Sequence, residues 1–155
     1  MARRFVISGL ALAAVVAVGA VAIAGGRPLS TPLFGSEERT ATGAQAGDPD
    51  GVGNAVLTLN PGQEDVCWEL SWENLQAPVT RAHIHEAPAG SNGGIVVSLF
   101  EAQSYPGTGS ATGCDIGDAT RDEIQRIMKN PEAFYVNIHN GEHPGGAIRG
   151  QIEKN

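Results

Sequence analysis

The chain has 155 residues, 10 Lys+Arg against 17 Asp+Glu for a formal charge of −7, and only two cysteines. That length suits one domain with a modest core. No basic cluster is available to replace the counterions of a phosphate backbone, so nucleic-acid binding is disfavoured.

Met1-Ala2-Arg3-Arg4 precedes an uncharged apolar run that ends in Ala22-Ile23-Ala24, ahead of Gly25. A basic start, an apolar centre and a small-residue site predict a secretory signal over residues 1–24. The run also approaches the ~20 residues of a membrane span, so an uncleaved N-terminal anchor is the alternative. Either way the remainder is expected outside the cytoplasm, secreted or in the cell envelope. Membrane contact is expected only through that first segment. Cleavage would remove Arg3 and Arg4, leaving 8 Lys+Arg against 17 Asp+Glu and a formal charge of −9.

Residues 25–47 are rich in Gly, Ser, Thr, Ala and Pro without a sustained period. They predict a flexible linker with at most an edge strand near Leu33-Phe34. A single domain is expected over residues 48–155. Asp48 and Asp50 in the Gly47-Asp48-Pro49-Asp50-Gly51 opening lack the ligand spacing of a calcium loop and read as a turn.

The domain reads as strands in series. Val56-Leu57-Thr58-Leu59 ends at an Asn60-Pro61-Gly62 turn. Val66, Trp68, Leu70 and Trp72 then alternate with Cys67, Glu69, Ser71 and Glu73, a period of two with one buried face. Both tryptophans fall in the apolar set and are expected as core anchors. Further strands are predicted over residues 80–85, 95–100, 133–139 and 147–152, with a Gly145-Gly146 hairpin turn before the last. Thr120-Arg121-Asp122-Glu123 has capping-box spacing, followed by the stripe Ile124, Ile127 and Met128 and the stop Asn130-Pro131, so one short helix is predicted. An even cysteine count in an exported chain predicts a Cys67–Cys114 disulfide. It would pin the Gly/Ser/Thr-rich connection around residues 106–113 to the sheet. The fold class expected is all-β, an antiparallel β-sandwich or Greek-key barrel with one short helix, stapled by one disulfide.

Several separated blocks occur in order: Ala82-His83-Ile84-His85, Pro88-Ala89-Gly90, Gly93-Gly94-Ile95-Val96-Val97, Tyr135-Val136-Asn137-Ile138-His139, and residues 145–151. Through them the chain resembles the chordin-type CHRD domain, in its single-domain exported bacterial form. The resemblance covers about two-thirds of the chain and implies no particular reaction. His143 stands where that family usually has an aromatic residue.

All four histidines lie in or beside these blocks. On a strand, His83 and His85 project to one side. His139 shares a strand face with Tyr135 and Asn137. If the two strands are neighbours, three imidazoles meet, the number a catalytic zinc site uses with one position open. Glu86 and His143 are possible accessory ligands, and zinc or copper the expected ions. Ion-free structural histidines rank ahead of that reading at this point. Asn137 and Arg149 are expected as structural anchors, Arg149 pairing locally with a carboxylate such as Glu86 or Glu142. His83-Ile84-His85-Glu86 is also similar to a segment of copper–zinc superoxide dismutases, but four histidines cannot supply that enzyme's two-metal site. No Gly-x-Ser-x-Gly elbow, phosphate loop or His-Glu-x-x-His occurs, and no catalytic residue is assigned. The function expected is therefore a non-enzymatic binding or structural module that presents a surface to a protein or glycan partner. The alternative is a metal-binding protein or simple metalloenzyme built on the three histidines.

Overall fold

A computed structural model describes residues 27–76, 78–116 and 118–154; the predicted signal over residues 1–24 lies outside them. Eight strands follow in chain order: β1 (Arg27–Phe34), β2 (Val52–Asn60), β3 (Asp65–Glu73), β4 (Val79–Glu86), β5 (Gly94–Phe100), β6 (Gly109–Ile116), β7 (Phe134–Asn140) and β8 (Ile148–Gln151). One helix, α1 (Arg121–Lys129), lies between β6 and β7. All strands join one antiparallel sheet in the order β5-β4-β7-β8-β1-β2-β3-β6. Its two ends, β5 and β6, approach each other without pairing, so the sheet curls into a nearly closed barrel. Of the two forms expected, the barrel is the one found.

The alternation in β3 does what its period predicts. Val66, Trp68, Leu70 and Trp72 are buried, while Glu69, Ser71 and Glu73 are exposed. Trp72 packs against Tyr105 and donates its indole N–H to the Pro106 carbonyl at 2.8 Å, so an apolar anchor keeps its polar group satisfied. Leu29, Leu33, Leu57, Leu59, Ile84 and Ile138 fill the interior from both halves of the sheet. The helix starts where the sequence indicates. The Thr120 hydroxyl accepts from the Glu123 N–H, and the Glu123 carboxylate accepts from the Thr120 N–H at 2.8 Å. Its apolar stripe sends Ile124 and Ile127 into the same core.

Two expectations are corrected. Residues 27–34 are not linker but β1, which lies inside the sheet and pairs with β2 along its whole length, from Arg27↔Leu59 to Phe34↔Val52. Pro28 and Pro32 interrupt the apolar pattern there and hide a strand that buries Leu29 and Leu33 on alternate turns of the pleat. The domain therefore begins well before residue 48. The connection after residue 106 is likewise not loose: residues 109–116 form β6, and Cys67 and Cys114 are direct cross-strand partners joined by the expected disulfide. Small residues suffice in β6 because Gly113 lies against the Trp68 ring, where a Cβ would collide.

Candidate metal centre

The site forms on the outer side of β4 and β7. Ala82 and Ile84 on β4, and Val136 and Ile138 on β7, turn inward and are buried. Their neighbours in sequence therefore face out. The pairing sets Arg81 opposite His139, His83 opposite Asn137 and His85 opposite Tyr135. An outward face is normally wet, yet His83, His85 and His139 are only 2%, 8% and 5% exposed. The loops following β4 and β7, and Glu101 just after β5, lie against them and make a second, polar interior.

The three imidazoles converge: one ring nitrogen from each lies within 4.8 Å of the others. His83 Nδ1 is 2.9 Å from His139 Nε2. The remaining nitrogens are held by the protein. His85 Nδ1–H donates to the Gly93 carbonyl at 3.0 Å, and His139 Nδ1–H to the Pro144 carbonyl at 3.0 Å. His83 Nε2 meets the Glu101 carboxylate at 2.6 Å. These partners fix the tautomers. Carbonyls accept only, so His85 and His139 carry their protons on Nδ1 and turn Nε2 lone pairs inward. His85 Nε2 is buried without a hydrogen bond of good geometry among the described residues, the Asn137 side chain acting on the ring only as a weak partner, and incomplete satisfaction of this kind ordinarily costs about 1–3 kcal/mol.

Stacking fixes the ring planes. His85 lies parallel to Tyr135, 5° between planes with centroids 4.9 Å apart, and the Arg149 guanidinium covers the other face of Tyr135 at 3.5 Å. Arg149 is 1% exposed and donates to the Ser91 carbonyl at 2.9 Å and to Asn92 Oδ1 at 3.2 Å. It thus ties down the 87–93 loop whose Gly93 holds His85. Gly93 must be glycine here, since a Cβ would run into the Glu86 carbonyl.

Burial, with the nearby His83 charge second, pushes His139 down from 6.5 to about 4. Burial also lowers His85, the Gly93 hydrogen bond opposing it. Both rings are accordingly neutral at neutral pH, the form that binds metals. For Glu101, burial raises the carboxyl but is outweighed by the hydrogen bond and charge of His83, and the net shift is downward.

Of the residues singled out from sequence, His83, His85 and His139 come together, with Asn137 buried between them. Glu86 does not join them; it pairs with Arg126 of α1 at 2.6 Å. Nor does His143, whose Nδ1–H is taken by the Ala46 carbonyl at 3.0 Å. Arg149 is an anchor as expected, but not through Glu86 or Glu142. Its contacts are the loop carbonyl, Asn92 and Tyr135, and the carboxylates whose charge it feels are Glu38 and, less, Glu37. Sequence reasoning missed Glu101 and Glu38. A bulge in the β4–β5 pairing brings Glu101 to His83, which residue spacing does not reveal. Glu38 lay in the presumed linker.

Glu38 is 1% exposed, and its carboxyl sits against Gly146, which at φ 137° needs to be glycine on conformational grounds as well. Burial raises Glu38 from 4.5 to about 7, with the Arg149 charge opposing. A folded value above the unfolded one means a contribution fully present below pH 4.5 and lost as the pH rises through about 7. His139 has the opposite sign: its contribution is present above pH 6.5 and lost as the pH falls through about 4. Between these limits the two slopes offset each other. We therefore predict that Glu38→Gln stabilises the metal-free protein at pH 8 by up to about 3 kcal/mol and changes it little at pH 4.5. Urea melts at both pH values check this; equal effects at both would contradict it.

Fold and site together define an all-β barrel domain with a buried polar centre under its loops, built on three convergent imidazoles. The chain belongs to the CHRD family: the family model for the CHRD domain matches residues 29–152, from β1 to just past β8. No curated protein and no solved structure matches it.

Proposed function

We propose that this CHRD-domain chain is a non-enzymatic binding module of the cell exterior. Its ligand is a divalent transition-metal ion, zinc or copper, held by His83 Nδ1, His85 Nε2 and His139 Nε2. The observation that carries the reading is the convergence of three buried imidazole nitrogens, among which His85 Nε2 makes no hydrogen bond of good geometry while its own Nδ1 is fixed by Gly93. Each presumed ligand also has a partner on its far nitrogen, two carbonyls and one carboxylate, the arrangement that orients metal-bound imidazoles. A four-coordinate ion about 2.0–2.1 Å from each nitrogen sets them roughly 3.3 Å apart, so the widest separation of 4.8 Å closes by about 1.5 Å and the 2.9 Å one opens by about 0.4 Å, through ring rotations. Loading displaces the proton between His83 Nδ1 and His139 Nε2 and leaves His83 Nε2–H donating to Glu101. The apolar N-terminal segment and the disulfide, which persists in oxidising compartments, support a place outside the cytoplasm.

Metal analysis by mass spectrometry on untagged protein purified without chelator is expected to find close to one equivalent of zinc or copper, lost in His85→Gln and His139→Gln variants that keep the wild-type circular dichroism. Folded wild-type protein that neither carries nor takes up either ion at micromolar concentration would overturn the proposal. The module would then be sought through protein or glycan partners.

A further inference from the structure

Three imidazoles leave a tetrahedral ion one ligand short, and no cysteine, carboxylate or fourth histidine joins them among the described residues. Glu86 and His143 are held elsewhere by Arg126 and by Ala46, and Glu101 lies behind His83, on the nitrogen that faces away from the ion. An oxygen of another kind does stand in the cluster. Asn137 is 1% exposed, and its Oδ1 is buried without a hydrogen bond among the described residues.

The register puts this amide among the three rings. Asn137 is the direct partner of His83 across β4 and β7, His139 follows two residues later on the same face of β7, and His85 is the diagonal neighbour. Facing residues in an antiparallel pair hold their Cβ atoms about 4.5–5.5 Å apart, and diagonal ones stay within reach of a ring. The direction of the amide follows from its neighbours. Asn137 acts on His85 as an acceptor, favouring the charged ring, and on Glu38 as a donor, favouring the carboxylate. Its oxygen therefore faces His85 and its NH₂ faces Glu38. With the proton of His85 spent on the Gly93 carbonyl, Nε2 and Oδ1 meet as two buried acceptors. Neither can satisfy the other, and a cation between them satisfies both.

Resting on the metal reading above, we propose that Asn137 Oδ1 is the fourth ligand and closes the site, leaving no position for water. The donor set is then three imidazole nitrogens and one amide oxygen, all neutral, with no thiolate or thioether to favour Cu⁺. It fits a divalent ion. A four-coordinate centre without an open position holds its ion and activates no water, the arrangement of structural zinc sites and not of catalytic ones. Asn137, expected from sequence as an anchor, is thus a metal ligand, and the closed shell is what makes the module a binder of the ion and not an enzyme.

The test uses the full chain loaded with Co²⁺, whose visible absorption reports its coordination. Its electron spin resonance broadens when a bound water carries the magnetic isotope of oxygen. In water enriched in that isotope the wild type is expected to show no broadening. Asn137→Ala should bind Co²⁺ at least about 10-fold more weakly, no less than the loss of an outer-shell partner costs, and its resonance should broaden as water takes the freed position. Asn137→Asp, which puts an oxygen in the same place, should match or exceed the wild-type affinity and stay unbroadened. It also covers the case in which the alanine variant fails to fold. If Co²⁺ does not bind the wild type, the metal reading itself falls, and this assignment with it. If Co²⁺ binds but the wild type already carries a solvent ligand, or Asn137→Ala keeps the wild-type affinity and spectrum, the metal reading stands and Asn137 is not a ligand.

Discussion

Replacing Arg149 with methionine should destabilise the domain by about 3–5 kcal/mol, the range for removing one partner of a buried charged network. Methionine keeps much of the apolar stem, so the loss reports on the guanidinium. The substitution leaves the Ser91 carbonyl and Asn92 Oδ1 without donors and uncovers Tyr135. It also removes the cation that opposes the upward shift of buried Glu38. Arg149→Lys should recover little, because an ammonium cannot stack on Tyr135 and reach both acceptors at once. Chemical denaturation gives the magnitude, and hydrogen exchange over residues 87–93 gives the place. A loss under 1 kcal/mol, or unchanged protection in that loop, would show that Arg149 does not organise the site.

Removing the disulfide with the pair Cys67→Ala and Cys114→Ala is expected to cost about 4 kcal/mol, from the loop-closure entropy of a cross-link spanning 47 residues. The damage should be local. β6 pairs only with β3 and meets β5 across the seam of the barrel without a hydrogen-bonded ladder to β4 or β7. Its amides should lose hydrogen-exchange protection first, while the histidine cluster keeps its geometry and any metal uptake. Loss of metal uptake in the folded double variant would mean that the bond reaches the site across the β5–β6 seam.

How far the sequence foretold this molecule depended on whether a segment carried its signal locally. The β3 alternation and the capping box of α1 are statements by neighbouring residues, and both appear in the structure where their patterns lie. β1 and β6 gave no such statement. In β1 two prolines break the apolar period, and the strand is secured by its neighbours β2 and β8 rather than by its own propensity. In β6 glycines, serine and threonine look like a connection, and partners distant in the chain, Cys67 and Trp68, make it a strand. The candidate centre divides in the same way. His83 and His85 share a face by the two-residue repeat, and His139 arrives through a neighbouring strand. Glu101 and Glu38 depended on a bulge and on the course of a loop, neither of which leaves a periodic trace.

The position of β1 in the middle of the sheet has a consequence for assembly. Chains are synthesised N-terminus first, so β1 and β2 can pair early, yet the other side of β1 waits for β8, the last strand of the sheet in chain order. Until then a central strand keeps one edge open, and such edges invite wrong partners. Chains shortened to end before β8 should therefore yield no protease-resistant domain. The histidines of β4 and β7 gain their covering loops only when the final strand closes the ring.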